Sequence, residues 1–310
     1  MSLNSAAAIT KLRSLTQRFD MGVRAATPFY PKICNIIPSE GADEEYGLLG
    51  AVPSVREWLA DRQFKTPRAA NFTIVNKLWE VSERIEKTDI EDARLLKYGT
   101  RLEQLGVRAA KHPDKLVLGT LLVNAETSLC FDGQYFFDTD HSWGDSGNNS
   151  NLLTRDIVDP TNPTVDEMKA AIDAALSAMF GFTDDAGELI EDDVIMDASN
   201  PLDLLVVAPW AYRTNTIVAT TPGVLINNGQ TNIVTTSASV AFSKRITGNY
   251  FDVYRLDTVM KPYIFQARRA MQRQMKGLDD QEFKDVKFMA DARYNAGYGA
   301  WWTAVRVKFT

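Results

Sequence analysis

The segment from Ala25 to Gly50 constrains the fold most strongly, because it cannot form one long regular element. Six residues that interrupt helices or strands are spread along it: Pro28, Pro31, Pro38, Gly41, Gly47 and Gly50. Proline removes a backbone donor, and glycine loses more conformational freedom on folding than any other residue. The spacing therefore predicts an extended arm that has no core of its own.

The residues before this segment predict an amphipathic helix. Asn4 or Ser5 can cap its start, and its apolar stripe consists of Ile9, Leu12, Leu15 and Phe19. Residues 1–32 carry a net charge of +4, whereas the rest of the chain carries −10. The basic charge is compatible with docking on nucleic acid or on an acidic protein surface. Burying about four apolar side chains at roughly 1.5–3 kcal/mol each favours protein, either the same subunit or the next.

Composition excludes several classes of protein. Hydrophobic residues make up 45% of the 310 residues and charged residues 24%, as in ordinary globular domains. Apolar runs such as Leu204 to Pro209 are too short to span a bilayer, and the first residues lack the pattern of a secretory signal. Cys34 and Cys130 are the only cysteines. We expect two free thiols and no disulfide scaffold.

A long hairpin is predicted between Val52 and Lys87. Its return limb, Asn71 to Val75 and Leu78 to Val81, is rich in β-branched and aromatic residues. Its polar tip combines three cations with one aromatic side chain: Arg62, Phe64, Lys65 and Arg68. Such a tip suits charge pairing around an apolar anchor, so we expect it to bind another copy of the chain. One candidate partner cluster is acidic and consists of Glu188, Glu191, Asp192 and Asp193.

The remaining pattern mixes helices with antiparallel strands, which predicts an α+β fold. A helix from Asp89 to Lys111 should kink or restart at Pro113. Thr164 and Glu167 form a capping box that opens a second helix, whose buried face is Met168, Ile172, Leu176 and Met179. The expected strands are Leu204–Val207, which Pro209 closes, and Tyr250–Leu256, Tyr263–Gln266, Phe288–Met289 and Thr303–Phe309, with a solvated loop between Lys276 and Lys287.

Several blocks, in order, resemble the major head subunit family of Mu-like phages and prophages. They are Tyr46–Gly50, Pro53 with Arg56–Trp58, Asn76–Lys77 with Glu80, Asp89–Asp92, His112–Asp114, Cys130–Gln134, Phe136–His141, Lys261–Gln266 with Arg268–Arg269, and Ala296–Gly299. Their shared order extends over most of the chain. The family's proline after the Asp-Thr-Asp-His block is Ser142 here, so the sequence departs from the family pattern in that loop. Residues 148–201 resemble the family only in their pattern of elements.

The resemblance implies the Hong Kong 97 (HK97-like) capsid fold. The corresponding parts would be an N-terminal arm (1–50), an extended E-loop hairpin (51–87), a peripheral domain with a long spine helix (88–163), an axial domain (164–249) and a return to the peripheral domain (250–310). It also implies a major capsid protein that assembles into hexamers and pentamers of an icosahedral shell around double-stranded DNA.

The same resemblance implies the partners and the location. Scaffold, portal and decoration proteins would act during assembly, the DNA would be an indirect partner, and no membrane would be involved. The chain would be made in the cytoplasm of the bacterial host and would end in the virion. Neither cofactor, metal nor catalytic residue is expected. The functional residues would lie at subunit interfaces, with Ile9, Leu12, Leu15, Phe19, Arg62, Phe64, Lys65 and Arg68 as candidates.

Two alternatives remain at this point. Asp138, Asp140, His141 and Asp145 could ligate a hard cation in a metal-dependent hydrolase, although no glutamate closes an EF-hand loop. With only His112 and His141 in the chain, no histidine-rich zinc site can be built locally. His112 is expected to cap helix carbonyls. The second alternative is another virion component, such as a decoration protein.

Two further clusters have both a functional and a structural interpretation. Cys130 could pair with His141, but its apolar neighbours favour an inert thiol. The aromatic residues near the end of the sequence could stack on single-stranded nucleic acid beside Arg293 and Arg306. They are Tyr294, Tyr298, Trp301 and Trp302. Aromatic side chains at this density more often fill a core or a subunit contact, which is the interpretation that we prefer.

Overall fold

The computed structural model describes residues 6–49, 69–92, 94–190, 202–221, 225–226, 230–231, 238–276 and 285–310. The helices are α1 (Ala6–Ala25), α2 (Lys87–Glu91), α3 (Leu96–Ala110), α4 (His112–Leu116), α5 (Val165–Phe180) and α6 (Arg213–Thr220). The strands are β1 (Cys34–Pro38), β2 (Asp43–Leu49), β3 (Ala69–Val75), β4 (Lys77–Glu86), β5 (Leu152–Arg155), β6 (Leu204–Pro209), β7 (Leu225–Ile226), β8 (Gln230–Thr231), β9 (Ala238–Ser243), β10 (Tyr250–Arg255), β11 (Tyr263–Lys276), β12 (Asp285–Tyr298) and β13 (Ala304–Phe309). The predicted α+β class is confirmed.

A long four-stranded sheet has the order β1-β11-β12-β4. Strands β11 and β12 form an antiparallel hairpin whose pairs run from Tyr263 and Tyr298 to Lys276 and Lys287. The expected solvated loop is therefore wrong at both ends, since Lys276 and Asp285 to Lys287 belong to strands, while residues 277–284 lie outside the described residues. Charged and apolar side chains alternate along β12, and this period of two suits a strand that is covered on one face only.

The first limb of the hairpin begins before the predicted Val52, at Asp43. Strand β2 pairs with β3 in antiparallel register from Asp43 with Val75 to Leu49 with Ala69. It lies inside the segment predicted to be an extended arm without a core of its own, and it contains no proline, so its backbone donors remain free to pair. The predicted return limb is confirmed as β3 and β4. The tip of the hairpin, within residues 50–68, lies outside the described residues.

Two helices cover one face of the long sheet. The side chains of Leu12, Leu15 and Phe19 on α1 are buried in a cluster with Leu102 of α3 and Phe288 of β12. The rings of Phe19 and Phe288 are 5.0 Å apart. The apolar stripe of α1 therefore docks on the chain's own core. The sequence predicted docking on protein, either the same subunit or the next, and in this structure the stripe docks on the same subunit.

The prediction of one helix from Asp89 to Lys111 is wrong, because α2 ends at Glu91 and α3 begins at Leu96. The break lets the Asp89 carboxylate accept hydrogen bonds from Tyr98 Oη at 2.8 Å and from Lys97 Nζ at 2.6 Å. In a continuous helix these residues would be about 12–14 Å apart at 1.5 Å per residue. The predicted restart at Pro113 is confirmed, since Pro113 lies in the first turn of α4.

A second sheet has the order β5-β13-β10-β6-β9. All six residues of β6 are buried, as the apolar run predicts. Helix α5 begins with the predicted capping box, in which Thr164 Oγ1 accepts from the Glu167 amide while Glu167 Oε2 accepts from the Thr164 amide. Helices α5 and α6 pack on one face of this sheet, and residues 117–126 with Phe136 and Phe137 lie against the other.

Candidate functional site

The acidic loop does not form the ligand set that its spacing suggested. Asp138 accepts the amide hydrogens of Thr139 at 2.8 Å and Tyr135 at 3.2 Å, so its carboxylate orders the local turn. Asp145 donates its own amide to the Asp185 carbonyl at 3.0 Å. Within the described residues, no three histidine, cysteine or acidic side chains converge as metal ligands.

The third carboxylate of this loop, Asp140, is influenced by Asp138. A hydrogen bond with Asp138 raises the pKa of the Asp140 carboxyl, because that bond favours the protonated form. Asp140 itself is exposed. The effect of Asp138 on Asp140 therefore accounts for their proximity at the surface without a bound cation.

His141 points away from these carboxylates and into the core. Its Nδ1 lies 2.6 Å from Asp132 Oδ2, and both side chains are essentially inaccessible to solvent. Its ring stacks on Trp301 at 4.1 Å with an interplanar angle of 6°. The grouping of His141 with the loop acids is therefore wrong, because burial against Trp301 removes the imidazole from the loop surface. Its Nε2 has no hydrogen-bond partner among the described residues.

The thiol and imidazole pair is also not formed. Cys130 Sγ lies 3.7 Å from the Gly299 carbonyl, while His141 is bound to Asp132. Burial raises the pKa of the Cys130 thiol, and the same is true of Cys34. Thiolates are the nucleophilic form, so both cysteines are inert at neutral pH. Both are free, as expected.

His112 has a different role from the one that was expected. Its Nδ1 lies 2.7 Å from Tyr294 Oη, and its ring contacts Trp79 at 4.5 Å. The expectation that it caps helix carbonyls is therefore wrong, because its side chain faces the sheet. Burial lowers the pKa of His112, so the neutral ring is favoured at this position.

The aromatic residues near the end of the sequence build a core. Tyr294, Tyr298 and Trp301 are buried, and Trp302 packs edge-on against Trp301 and Phe131. The three buried rings present no free face to a nucleic acid. The structural interpretation of this cluster is confirmed.

A buried ionic network is the feature that sequence reasoning missed. Arg306 is 1% exposed and forms two hydrogen bonds to the Asp252 carboxylate, at 2.7 Å and 2.9 Å. It also donates to the Leu122 carbonyl and to Glu126, and its guanidinium lies between the rings of Phe137 and Tyr250. Burial disfavours the cation, but Asp252 outweighs this penalty and raises the pKa of Arg306.

The signal for this network was present but ambiguous. Arg306 and Asp252 each interrupt an apolar strand, and they lie opposite each other in the register of β10 and β13. Charged residues within such strands can face either solvent or a buried partner, and only the pairing of the two strands decides which. Arg306 had been considered as a contact to nucleic acid, and its burial excludes that role.

The predicted interface residues divide into two groups. Leu12, Leu15 and Phe19 are buried in the chain's own core, so they are not free to contact a neighbour in this conformation. Arg62, Phe64, Lys65 and Arg68, together with the side chain of Ile9 and the acidic residues 191–193, lie outside the described residues.

Large apolar side chains are exposed elsewhere on the chain. Val158 is 98% exposed, Val259 is 93% exposed and Leu96 is 86% exposed. Trp210 is 54% exposed, beside the cations of Arg213 and Lys244. Scattered exposure of single apolar residues is ordinary, but a half-exposed tryptophan flanked by cations is typical of protein interfaces. Among the described helices, none has the length and apolarity needed to cross a membrane.

Comparison with solved structures defines the class of protein. The chain matches a subunit of the bacteriophage JBD30 procapsid with a TM-score of 0.55 and 24% identity, covering 98% of this chain and 76% of that one. It matches the mature capsid of bacteriophage PhiM1 with a TM-score of 0.62 and 10% identity, covering 92% and 87%. The fold is the HK97-like fold of phage capsid subunits.

Comparison of sequences defines the family. The profile described as Mu-like prophage major head subunit gpT matches residues 9–172 and 228–310, so the chain belongs to that family. It is 37% identical over 150 residues to the Mu-like prophage FluMu major head subunit of Haemophilus influenzae, covering 48% of each chain. It is 32% identical over 152 residues to the major capsid protein of Escherichia phage Mu, covering 47% of this chain and 50% of that protein.

These matches cover about half the length of the curated relatives. Members of the family are structural head subunits rather than enzymes. The expectation that the chain is not an enzyme is confirmed by its family, and the expected resemblance is confirmed with it.

Proposed function

We propose that the chain is the major capsid subunit of a Mu-like tailed phage. It self-associates into hexamers and pentamers, which join into an icosahedral shell around the double-stranded DNA genome. The observation that carries this proposal is the match of the family profile over most of the chain, combined with an HK97-like fold. The place of action is the virion, after synthesis in the bacterial host cytoplasm.

The physical features of the chain support self-association. The β2–β3 ribbon is a two-stranded sheet that is hydrogen-bonded to β11 and β12 at its Val75 end. Two-stranded ribbons without further cover are at best marginally stable in water. Exposed strand edges and exposed apolar side chains such as Val158 and Val259 are stabilised when another chain covers them. A capsid subunit obtains this cover from its neighbours.

The tip of the hairpin is proposed to contact a neighbouring subunit. Arg62, Lys65 and Arg68 provide charge, and Phe64 provides an apolar anchor. The described part of the chain offers several acidic side chains at exposed positions as partners. This arrangement would combine ion pairs with one desolvated aromatic contact.

Further partners are proposed by analogy with related assemblies. A JBD30 capsid structure is described as decorated with minor capsid protein trimers. A decoration protein, together with a scaffold and a portal protein, would complete the assembly that we propose here. The packaged DNA would be an indirect partner, because the chain as a whole carries a net charge of −6.

The test is the assembly state of the purified chain, measured by sedimentation velocity and negative-stain electron microscopy. We expect closed shells, or rings of five and six subunits. A discrete small oligomer would instead support another virion component. Hydrolysis that depends on a metal and is abolished by Asp140→Asn would support the hydrolase alternative, whereas we expect Asp138→Asn with Asp140→Asn to assemble normally.

A second experiment tests the hairpin tip. Arg62→Glu with Arg68→Glu should leave folded subunits that fail to form shells. A matched control, Lys77→Glu with Arg108→Glu, makes the same change of charge at two exposed cations elsewhere. Normal shells from the tip variant would contradict its role as a contact.

A further inference from the structure

Two parallel strands of the second sheet end together at a cationic aromatic surface. Strands β6 and β9 pair in parallel up to Pro209 and Ser243. The next residues along the chain are Trp210 and Lys244, and α6 begins at Arg213. The register therefore places the side chains of Trp210, Arg213 and Lys244 at one edge of the domain, which we call the cationic edge.

The cationic edge is built around the exposed tryptophan. Arg213 lies 5.3 Å from the centroid of the Trp210 ring and Lys244 lies 5.7 Å from it. Phe242 supports the ring edge-on at 6.4 Å. Among the described residues, neither Arg213 nor Lys244 forms an ion pair with a carboxylate. Cations held over an aromatic ring without an acidic partner suit an acidic protein surface.

The other end of β6, where the strand begins, is acidic. Asp203 is exposed directly before β6. Glu188 is exposed in the turn between Thr183 and Leu189, whose neighbour Phe182 packs on Trp301. Trp301 lies just before β13. Ala304, the first residue of β13, pairs with Tyr254 of β10, and Tyr254 also pairs with Leu205, so β13 begins beside the start of β6. Asp203 and Glu188 therefore lie at one end of the sheet, and we call them the acidic end.

The two surfaces are far apart on one chain. Seven residues separate Asp203 from Trp210 along an extended strand, which corresponds to about 23 Å at about 3.3 Å per residue. Complementary surfaces at opposite ends of one subunit cannot meet within that subunit. They can meet head to tail between copies, and such heterologous contacts close into rings.

We propose that the cationic edge of one subunit binds the acidic end of the next, and that this contact forms the rings of the shell. The inference rests on the function proposed above and names one of its interfaces. The cationic edge begins within residues 173–227, which the family profile does not match. The charge of the body favours this partner over DNA, since residues 33–310 carry −10 and two cations bind few phosphates.

Charge exchange between the two surfaces provides the test. Arg213→Glu with Lys244→Glu should give folded subunits whose association into rings is weakened at least about tenfold. Asp203→Lys with Glu188→Lys should have the same effect. The control is Lys77→Glu with Arg108→Glu, which should form rings like the unmodified chain. Circular dichroism and thermal melting show that each variant is folded, and sedimentation velocity measures the rings.

Mixing the two defective variants is the decisive step. In a ring in which the two variants alternate, each edge made acidic would face an end made basic. Each native cationic edge would face a native acidic end, so all contacts would again join opposite charges. Rings with an even number of subunits should therefore return in the mixture, and the fourfold variant should form rings by itself. Failure of the mixture and of the fourfold variant to recover, or normal rings from either double variant, would overturn the inference.

Two other outcomes separate this inference from its rivals. If the unmodified chain forms neither rings nor shells, the proposed function itself fails. If Arg213→Glu with Lys244→Glu assembles normally but loses binding to duplex DNA in a mobility-shift measurement, the cationic edge binds nucleic acid and the inference is wrong.

Discussion

The two large sheets of this chain are covered differently. In the second sheet, consecutive residues of β6 are all buried, because α5 and α6 cover one face and residues 117–126 cover the other. In the long sheet, buried and half-buried positions alternate along β12, because α1 and α3 cover only one face. The second sheet is an internal core, whereas the long sheet is a scaffold with an open face.

This difference explains where charge is tolerated. The open face of the long sheet carries ordinary exposed pairs such as Arg84 with Asp285. The closed sheet contains Arg306, which needs Asp252, Glu126 and a backbone carbonyl to compensate for its burial. A charge within the closed sheet is stable only when a complete set of partners surrounds it.

The largest expected effect on stability comes from placing a glutamate at two successive positions in each sheet, because successive residues of a strand point to opposite faces. Val206→Glu and Val207→Glu should both unfold the subunit, because each side chain is completely enclosed and an unpaired buried charge costs more than about 4 kcal/mol. In the long sheet, Ala290→Glu should unfold it, whereas Met289→Glu should change stability by less than about 1 kcal/mol. Urea unfolding of unassembled subunits measures all four variants. Equal effects of Met289→Glu and Ala290→Glu would remove the distinction between the sheets.

Breaking the buried network is the second prediction. Asp252→Ala should lower the free energy of unfolding by about 3–5 kcal/mol, because it leaves Arg306 buried without its carboxylate. Lys308→Ala is the matched control, since Lys308 is half-exposed and shares Glu126 with Arg306; its effect should be about 1 kcal/mol or less. Replacing both partners, Asp252→Leu with Arg306→Met, should recover most of the loss. A double variant as unstable as Asp252→Ala alone would contradict this account.

The contact between α1 and α3 gives the third prediction. A methyl group on Gly106 would collide with the Phe19 carbonyl, and one on Gly22 would collide with the Glu103 carbonyl. Gly106→Ala should therefore destabilise the subunit by about 1–3 kcal/mol and expose α1 to proteolysis. Gly99→Ala, in the same helix, meets only Arg18 Cγ at 3.8 Å. It should be neutral or stabilise by up to about 1 kcal/mol.

The smallest effect concerns pH. Burial raises the pKa of Glu126, but Lys308 and Arg306 outweigh it, so the pKa lies below its ordinary value. A lowered pKa in the folded state adds stability above the ordinary pKa, and this contribution is lost as pH falls below it. Glu126→Gln should therefore cost about 1 kcal/mol or less near pH 7 and nothing at strongly acidic pH. Thermal melting from pH 7 to pH 3 would measure this, and a constant difference between the variant and the unmodified chain would contradict it.

Much of the fold was predictable from local signals. The capping box at Thr164, the apolar run of β6 and the stripe of α1 each depend on neighbouring residues, and all three were predicted. The break between α2 and α3 was not, because Asp89 obtains its partners Lys97 and Tyr98 only when the chain folds back. The long hairpin of β11 and β12 was predicted too short, because its charged open face resembles a loop.

The candidate site shows the same limit. The spacing of Asp138, Asp140 and His141 suggested that they act together, but spacing does not specify which way each side chain points. The contact of His141 with Asp132 and Trp301 turns the imidazole inward and separates it from the loop acids.

The sequence by itself determined the α+β class and the family, because these depend on periodicity, caps and ordered motifs along the chain. Only the tertiary structure decided which charges are buried, which apolar stripe is covered by the chain itself, and which residues share an edge. The register of β10 and β13 places Arg306 opposite Asp252, and the register of β6 and β9 places Trp210 beside Lys244. Register joins residues that are distant in sequence, and it is fixed by the packing of the whole sheet.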